Sequence, residues 1–213
     1  MKVLQMTVGM IDTNCYLAYD EKIMEGVVID PGDNAAEILQ RAQEAGVKIQ
    51  YVLLTHGHFD HILAVDEICE KIGAKLVIHE ADSGMLADSA VKSSMRSFMV
   101  RRPYVQRQPD ILVHDGSEIQ VGDLTFRYLH TPGHTPGSCV IQAENCLFTG
   151  DTLFRGSCGR CDLPGGDYQA MLRSMKKLYD LPGDYQVLPG HEGISTLEKE
   201  RQFNPYMMQA NGR

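Results

Sequence analysis

The stretch His56-Gly57-His58-Phe59-Asp60-His61 gathers three of the chain's eight histidines and one aspartate in a single short loop. It follows the apolar run Gln50–Thr55, which reads as a strand. It precedes Ile62, Val65, Ile68 and Ile72, whose spacing reads as a helix over His61–Ile72. Imidazole and carboxylate are ligand types that zinc and non-haem iron both accept. At the end of a strand such side chains can converge on one point instead of alternating between the faces of a sheet. Gly57 omits a side chain where a tight bend needs room. Chance spacing rarely produces H-x-H-x-D-H, so the loop reads as metal-ligating.

Outward from this loop the chain alternates strands with helices. Residues 2–8 and 13–19 read as a strand hairpin, followed by a strand over Gly26–Asp30 and the turn Pro31-Gly32-Asp33. A helix runs from an Asn34 cap, through the apolar face of Ile38, Leu39 and Ala42, to Gly46. Lys75–His79 is the next strand, and Ala81–Ala87 reads as a helical turn or two. The second half carries strands at Glu118–Val121, Leu124–His130, Cys139–Gln142 and Cys146–Thr149. A helix over Tyr168–Tyr179, a strand at Gln186–Leu188 and a last helix over Ser195–Phe203 follow. Each half thus starts with strands and goes on to helix and strand units. That order predicts an α/β protein of two stacked sheets with helices outside, folded as one domain over residues 1–213.

Three further stations put a metal-ligand type into Gly/Pro turn chemistry directly after an apolar strand. They are Thr131-Pro-Gly-His134, Thr149-Gly-Asp151 and Pro189-Gly-His191-Glu192. One such residue alone ordinarily satisfies turn amides. Together with the histidine loop they suggest a site assembled from loops at one end of the strands.

These motifs, from Asn14 to about Pro205, resemble those of the metallo-β-lactamase superfamily. Thr149-Gly-Asp-Thr-Leu-Phe154, the run from Phe154 to Arg160 and Pro189-Gly-His-Glu192 look most like its glyoxalase II-like branch, the hydroxyacylglutathione hydrolases. The residues from Glu192 to Arg213 are too few for the glutathione-binding helical segment of that group, which points to its short bacterial branch. The resemblance implies a four-layer αβ/βα sandwich with two divalent metal ions at the sheet edge, zinc foremost, with iron or manganese as alternatives. One ion would take His56, His58 and His134 and the other Asp60, His61 and His191, with Asp151 between them. A water shared by two such ions loses its proton near neutral pH and can attack a thioester carbonyl. Asp60 is the candidate for orienting that nucleophile, and Arg160 matches a basic substrate-side position. The expected function is hydrolysis of S-lactoylglutathione-like thioesters. The runner-up is a persulfide dioxygenase with a single iron.

The 213 residues include 20 Lys+Arg and 28 Asp+Glu, a formal charge of −8, with 43% hydrophobic and 23% charged content. That balance belongs to ordinary globular proteins and argues against a nucleic-acid partner. Gln5, Thr7 and Asp12 interrupt the first apolar run before it could serve as a signal-peptide core, and no stretch is long enough to span a membrane. The six cysteines, Cys158 and Cys161 among them, read as reduced thiols, which predicts a cytoplasmic protein acting on a small molecule. Lys92, Arg96, Arg101, Arg102 and Arg107 form one locally basic stretch, read as a solvated loop or an anion-docking segment.

Overall fold

Every residue of strand β2, Thr13–Asp20, is buried, so both of its faces are covered. Alternation sorts its side chains: Cys15, Leu17 and Tyr19 enter one apolar cluster, while Tyr16 and Ala18 enter another. That is the signature of a layered sandwich. The computed structural model describes residues 1–87 and 107–212.

Sheet one comprises β1 (Lys2–Val8), β2, β3 (Glu25–Ile29), β4 (Lys48–Leu53), β5 (Lys75–His79) and β6 (Ile111–Val113), in that spatial order. Sheet two comprises β7 (Glu118–Val121), β8 (Leu124–His130), β9 (Cys139–Ala143), β10 (Cys146–Gly150), β13 (Gln186–Pro189) and β14 (Ser195–Thr196). A small hairpin, β11 (Leu153–Phe154) with β12 (Ser157–Cys158), follows β10. Helices α1 (Ala35–Glu44) and α2 (Val65–Ile72) cover the outer face of sheet one, burying Ile38, Ala42, Val65 and Ile68. Helices α3 (Tyr168–Tyr179), α4 (Leu197–Phe203) and α5 (Pro205–Ala210) cover the outer face of sheet two through Met171, Met175, Leu178, Leu197 and Met207. Between the sheets lie Ile29, Leu53, Phe126, Ile141 and Phe148, and Tyr16 meets Phe148 edge-on at 5.4 Å. The layers are therefore αβ/βα, as expected.

Direction matters more than order for the site. β3 pairs parallel with β4, and β10 pairs parallel with β13. β9 is antiparallel to both β8 and β10, so β8, β10 and β13 run the same way. Hydrogen bonds between the sheets tie this end together: Cys139 N donates to Thr55 O after β4 (2.8 Å), and Asn14 N on β2 donates to Gly190 O after β13 (2.7 Å).

Several boundaries differ from the sequence reading. His61 belongs to a 3-10 turn, Phe59–His61, and the helix proper starts at Val65. Ser195 and Thr196 pair with β13 as β14, so the helix after them begins at Leu197, capped by Thr196. Asn34 adopts the left-handed conformation, and its amide donates to Glu37 (3.0 Å) instead of capping the helix. β6, the β11–β12 hairpin and α5 were not anticipated; the first two are only 3 and 2 residues per strand, too short for a periodicity. Lys92, Arg96, Arg101 and Arg102 lie outside the described residues, while Arg107 pairs with Asp110 at 3.1 Å.

Candidate metal centre

β4 delivers Thr55, His56 and the loop to His61 at the sheet edge. Gly57 is required there by close approach: a Cβ on it would stand 2.6 Å from Met85 Cβ. The expected room for a bend is in fact room for a neighbouring segment. Asp82 braces the same place, its carboxylate accepting from Gly57 N (3.1 Å), Thr135 Oγ1 (2.6 Å) and Gly137 N (2.6 Å). This carboxylate ties the loop after β4 to the loop after β8. Burial outweighs these hydrogen bonds and leaves its pKa raised.

The loops bring all seven sequence-derived ligand residues to one place. Donor atoms of His56, His58 and His134 lie within 4.8 Å of one another, as do those of Asp60, His61 and His191. Asp151 stands between the two groups: Oδ2 is 3.4 Å from His134 Nε2, and Oδ1 is 3.4 Å from His61 Nε2. Asp60 Oδ2 is 3.3 Å from His191 Nε2 and 3.6 Å from His61 Nε2. Gly190 makes this approach possible, since a Cβ on it would meet Asp151 Oδ1 at 2.5 Å and His61 Cε1 at 2.7 Å.

The ring nitrogens facing away from the centre have partners that fix the tautomers. His61 Nδ1 donates to Asp30 Oδ2 (3.0 Å), and His134 Nδ1 donates to Arg160 O (2.7 Å). His56 Nδ1 lies 3.1 Å from Thr55 Oγ1, whose own proton goes to Asp30 Oδ2 at 2.6 Å, so His56 is the donor of that contact. Each arrangement aims Nε2 inward, where a metal ligand needs it.

The inward atoms need a cation. His56 Nε2, His61 Nε2 and Asp151 Oδ1 are buried without a hydrogen-bond partner among the described residues. His58 Nδ1 and His134 Nε2 face each other at 2.8 Å. Burial, reinforced by the neighbouring histidines, pulls the pKa of His56 well below its ordinary value and that of His58 down to about 4, so both rings are neutral near neutral pH. Burial alone would raise Asp151, but the charge and hydrogen bond of His61 outweigh it and hold the carboxyl well below the usual range. Burial opposes charge on His61 and His191, but Asp151 and Asp60 outweigh it and raise both pKa values, so the carboxylates favour positive charge here. Orphaned ring nitrogens, neutral His56 and His58 and ionised carboxylates together fit divalent metal ions.

Other residues fall outside this cluster. Arg160 adjoins it by its backbone, but its guanidinium makes a bidentate pair with Asp162, Nε to Oδ1 and Nη2 to Oδ2, both 2.7 Å. His79 and His130 stack at 4.1 Å, and His114 pairs with Glu80 at 3.0 Å, a group apart from the seven candidate ligands. Cys158 and Cys161 are free thiols with raised pKa values, chiefly from burial.

Residues 8–191 match the Metallo-beta-lactamase superfamily, and the chain belongs to it. Among curated relatives, a protein of Aquifex aeolicus is 38% identical over 97% of each chain. Hydroxyacylglutathione hydrolase GloC of Haemophilus influenzae is 31% identical over 97% of this chain and 98% of its own. Among solved structures, BLEG-1 B3 metallo-beta-lactamase superposes with a TM-score of 0.89 at 35% identity, covering 97% of this chain and 99% of that one. TTHA1623, in a di-iron-bound form, gives 0.85 at 34% identity over 95% and 99%. ETHE1 from Myxococcus xanthus gives 0.80 at 29% identity over 96% and 84%. Among the described residues no helix is long and apolar enough to cross a membrane.

Proposed function

We propose that this chain is a binuclear metal-dependent hydrolase of thioesters of the S-lactoylglutathione kind, a small-molecule enzyme of the glyoxalase II-like branch. The observation that carries the two-ion reading is Asp151, one carboxylate within 3.4 Å of a ligand nitrogen in each of the two donor groups. His56, His58 and His134 would hold one ion and Asp60, His61 and His191 the other, with Asp151 shared. A pair of divalent ions there supplies Lewis acidity and brings the pKa of water towards neutrality.

The chain's own residues do the rest. His191 and His61 flank Asp60 Oδ2. Burial raises the pKa of Asp60, but these two histidines outweigh it and keep the carboxyl ionised below its ordinary range. Asp60 Oδ2 can therefore accept a hydrogen bond from the attacking water and orient it. Arg160 meets an anionic group of the substrate by exchanging the Asp162 carboxylate for it; both side chains are exposed. GloC, by its name a hydroxyacylglutathione hydrolase, supports the choice of thioester.

Zinc is the proposed metal, with iron or manganese as alternatives; the di-iron form of TTHA1623 shows that one such relative accepts iron. The likeness to ETHE1 is compatible with the second reading, a mononuclear iron persulfide dioxygenase. An assay of S-lactoylglutathione hydrolysis beside oxygen uptake with a glutathione persulfide separates the two. Thiol release without oxygen uptake supports the hydrolase, and the reverse supports the dioxygenase.

A further inference from the structure

Asn14 lies on β2 of sheet one, yet its side chain serves a loop of sheet two. Asn14 is 3% exposed, and its amide makes three hydrogen bonds. The Nδ2 group donates to Pro189 O (3.0 Å) and to Glu192 O (2.9 Å), the carbonyls on either side of Gly190-His191. Asn14 N donates to Gly190 O at 2.7 Å. Gln5 Nε2 donates to Asn14 Oδ1 at 2.8 Å, which fixes the amide so that both of its protons point at the turn.

The turn needs holding. Glu192, directly after His191, has φ 66°, a left-handed conformation that a residue with a side chain adopts only when its surroundings impose it. Pro189 O has a second donor in Tyr16 Oη (2.7 Å), whereas among the described residues the side-chain donor to Glu192 O is Asn14. The far side of the turn is therefore set by one amide. His191 is also more loosely seated than His61 and His134, 19% exposed at its side chain against 0% and 3%.

We propose that Asn14 is a positioning residue for His191, so that the metal site of Asp60, His61 and His191 depends on its amide while the site of His56, His58 and His134 does not. This rests on the two-ion reading above. Asn14→Asp keeps the shape but sets a carboxylate oxygen against two carbonyl oxygens; Asn14→Ala removes the clasp altogether.

The test is titration of the metal-free protein with zinc against a chromophoric chelator, with thermal melting of the same metal-free samples. The wild type takes two ions. In Asn14→Asp one of the two affinities falls about 10–100-fold, the range for loss of a partner that orients a ligand, while the other stays within about twofold. Gln5→Ala, which leaves the clasp present but unbraced, shifts the same affinity by less. Two unchanged affinities in Asn14→Asp overturn the inference alone. Equal weakening of both sites, with a lowered melting temperature, also overturns it, because that marks a general structural role. A wild type that binds one ion overturns the two-ion reading and this inference with it.

Discussion

Asp30 Oδ2 lies 3.0 Å from His61 Nδ1 and 2.6 Å from Thr55 Oγ1, and the same carboxylate accepts from Thr55 N through Oδ1 at 2.8 Å. Because Thr55 Oγ1 in turn faces His56 Nδ1, one buried aspartate orients an imidazole in each proposed metal site. Asp30→Ala should accordingly lower the affinity for both ions, each by about 10–100-fold, as measured by chelator competition. Loss confined to one ion would show that the Thr55 relay to His56 carries little.

Asp60→Asn separates ligation from orientation of the nucleophile. An amide still offers an oxygen, but it cannot accept a proton as a carboxylate does. The variant should keep much of its metal and lose about a hundredfold in kcat. An intact kcat with lowered metal affinity would reduce Asp60 to a ligand.

The Arg160–Asp162 pair bears on substrate affinity. Hydrolysis of S-lactoylglutathione should show a high KM, and Arg160→Glu should raise it further for an anionic thioester while hardly changing a neutral one. Asp162→Ala frees the guanidinium and should lower the anionic KM about two- to fivefold, the scale of an exposed ion pair. A micromolar KM that ignores both changes would place glutathione recognition elsewhere.

His79 supplies a pH signature outside the metal cluster. Burial, with His130 stacked on it and His114 nearby, lowers its pKa to about 4 against the partial opposition of Glu80 and Asp115. Its Nδ1 accepts from Ala81 N at 3.2 Å, which also favours the neutral ring. A depressed histidine pKa means that the unfolded chain takes up a proton the folded chain refuses. Stability is then lost as pH falls from about 6.5 towards about 4. Thermal melts across that window should fall less steeply in His79→Phe than in the wild type. Parallel slopes would contradict the assignment.

Much of the candidate site was legible in the sequence because ligand-type residues clustered in loops carry a local signal. His56 to His61 declared itself by density, and His134, Asp151 and His191 by their Gly/Pro turns after apolar strands. What the sequence obscured depends on distant pairing. Asn14 meets Pro189 and Glu192 across 175 and 178 residues of chain, and Asp82 meets Thr135 across 53. No local pattern marks such contacts. Asp30 read as the end of a strand, and its 3.0 Å contact with His61 joins residues 31 positions apart. Arg160 shows the opposite limit: its position beside the cluster was readable, but not its bidentate pairing with Asp162.

The most direct test of the central claim is metal content per chain, by elemental analysis of the purified wild type and of Asp151→Ala. Two ions per chain are expected in the wild type, and both sites should be weakened together in Asp151→Ala, because its carboxylate lies against a ligand nitrogen of each group. A fully active wild type with one ion per chain, or an Asp151→Ala protein that keeps one site at full affinity, would contradict the account.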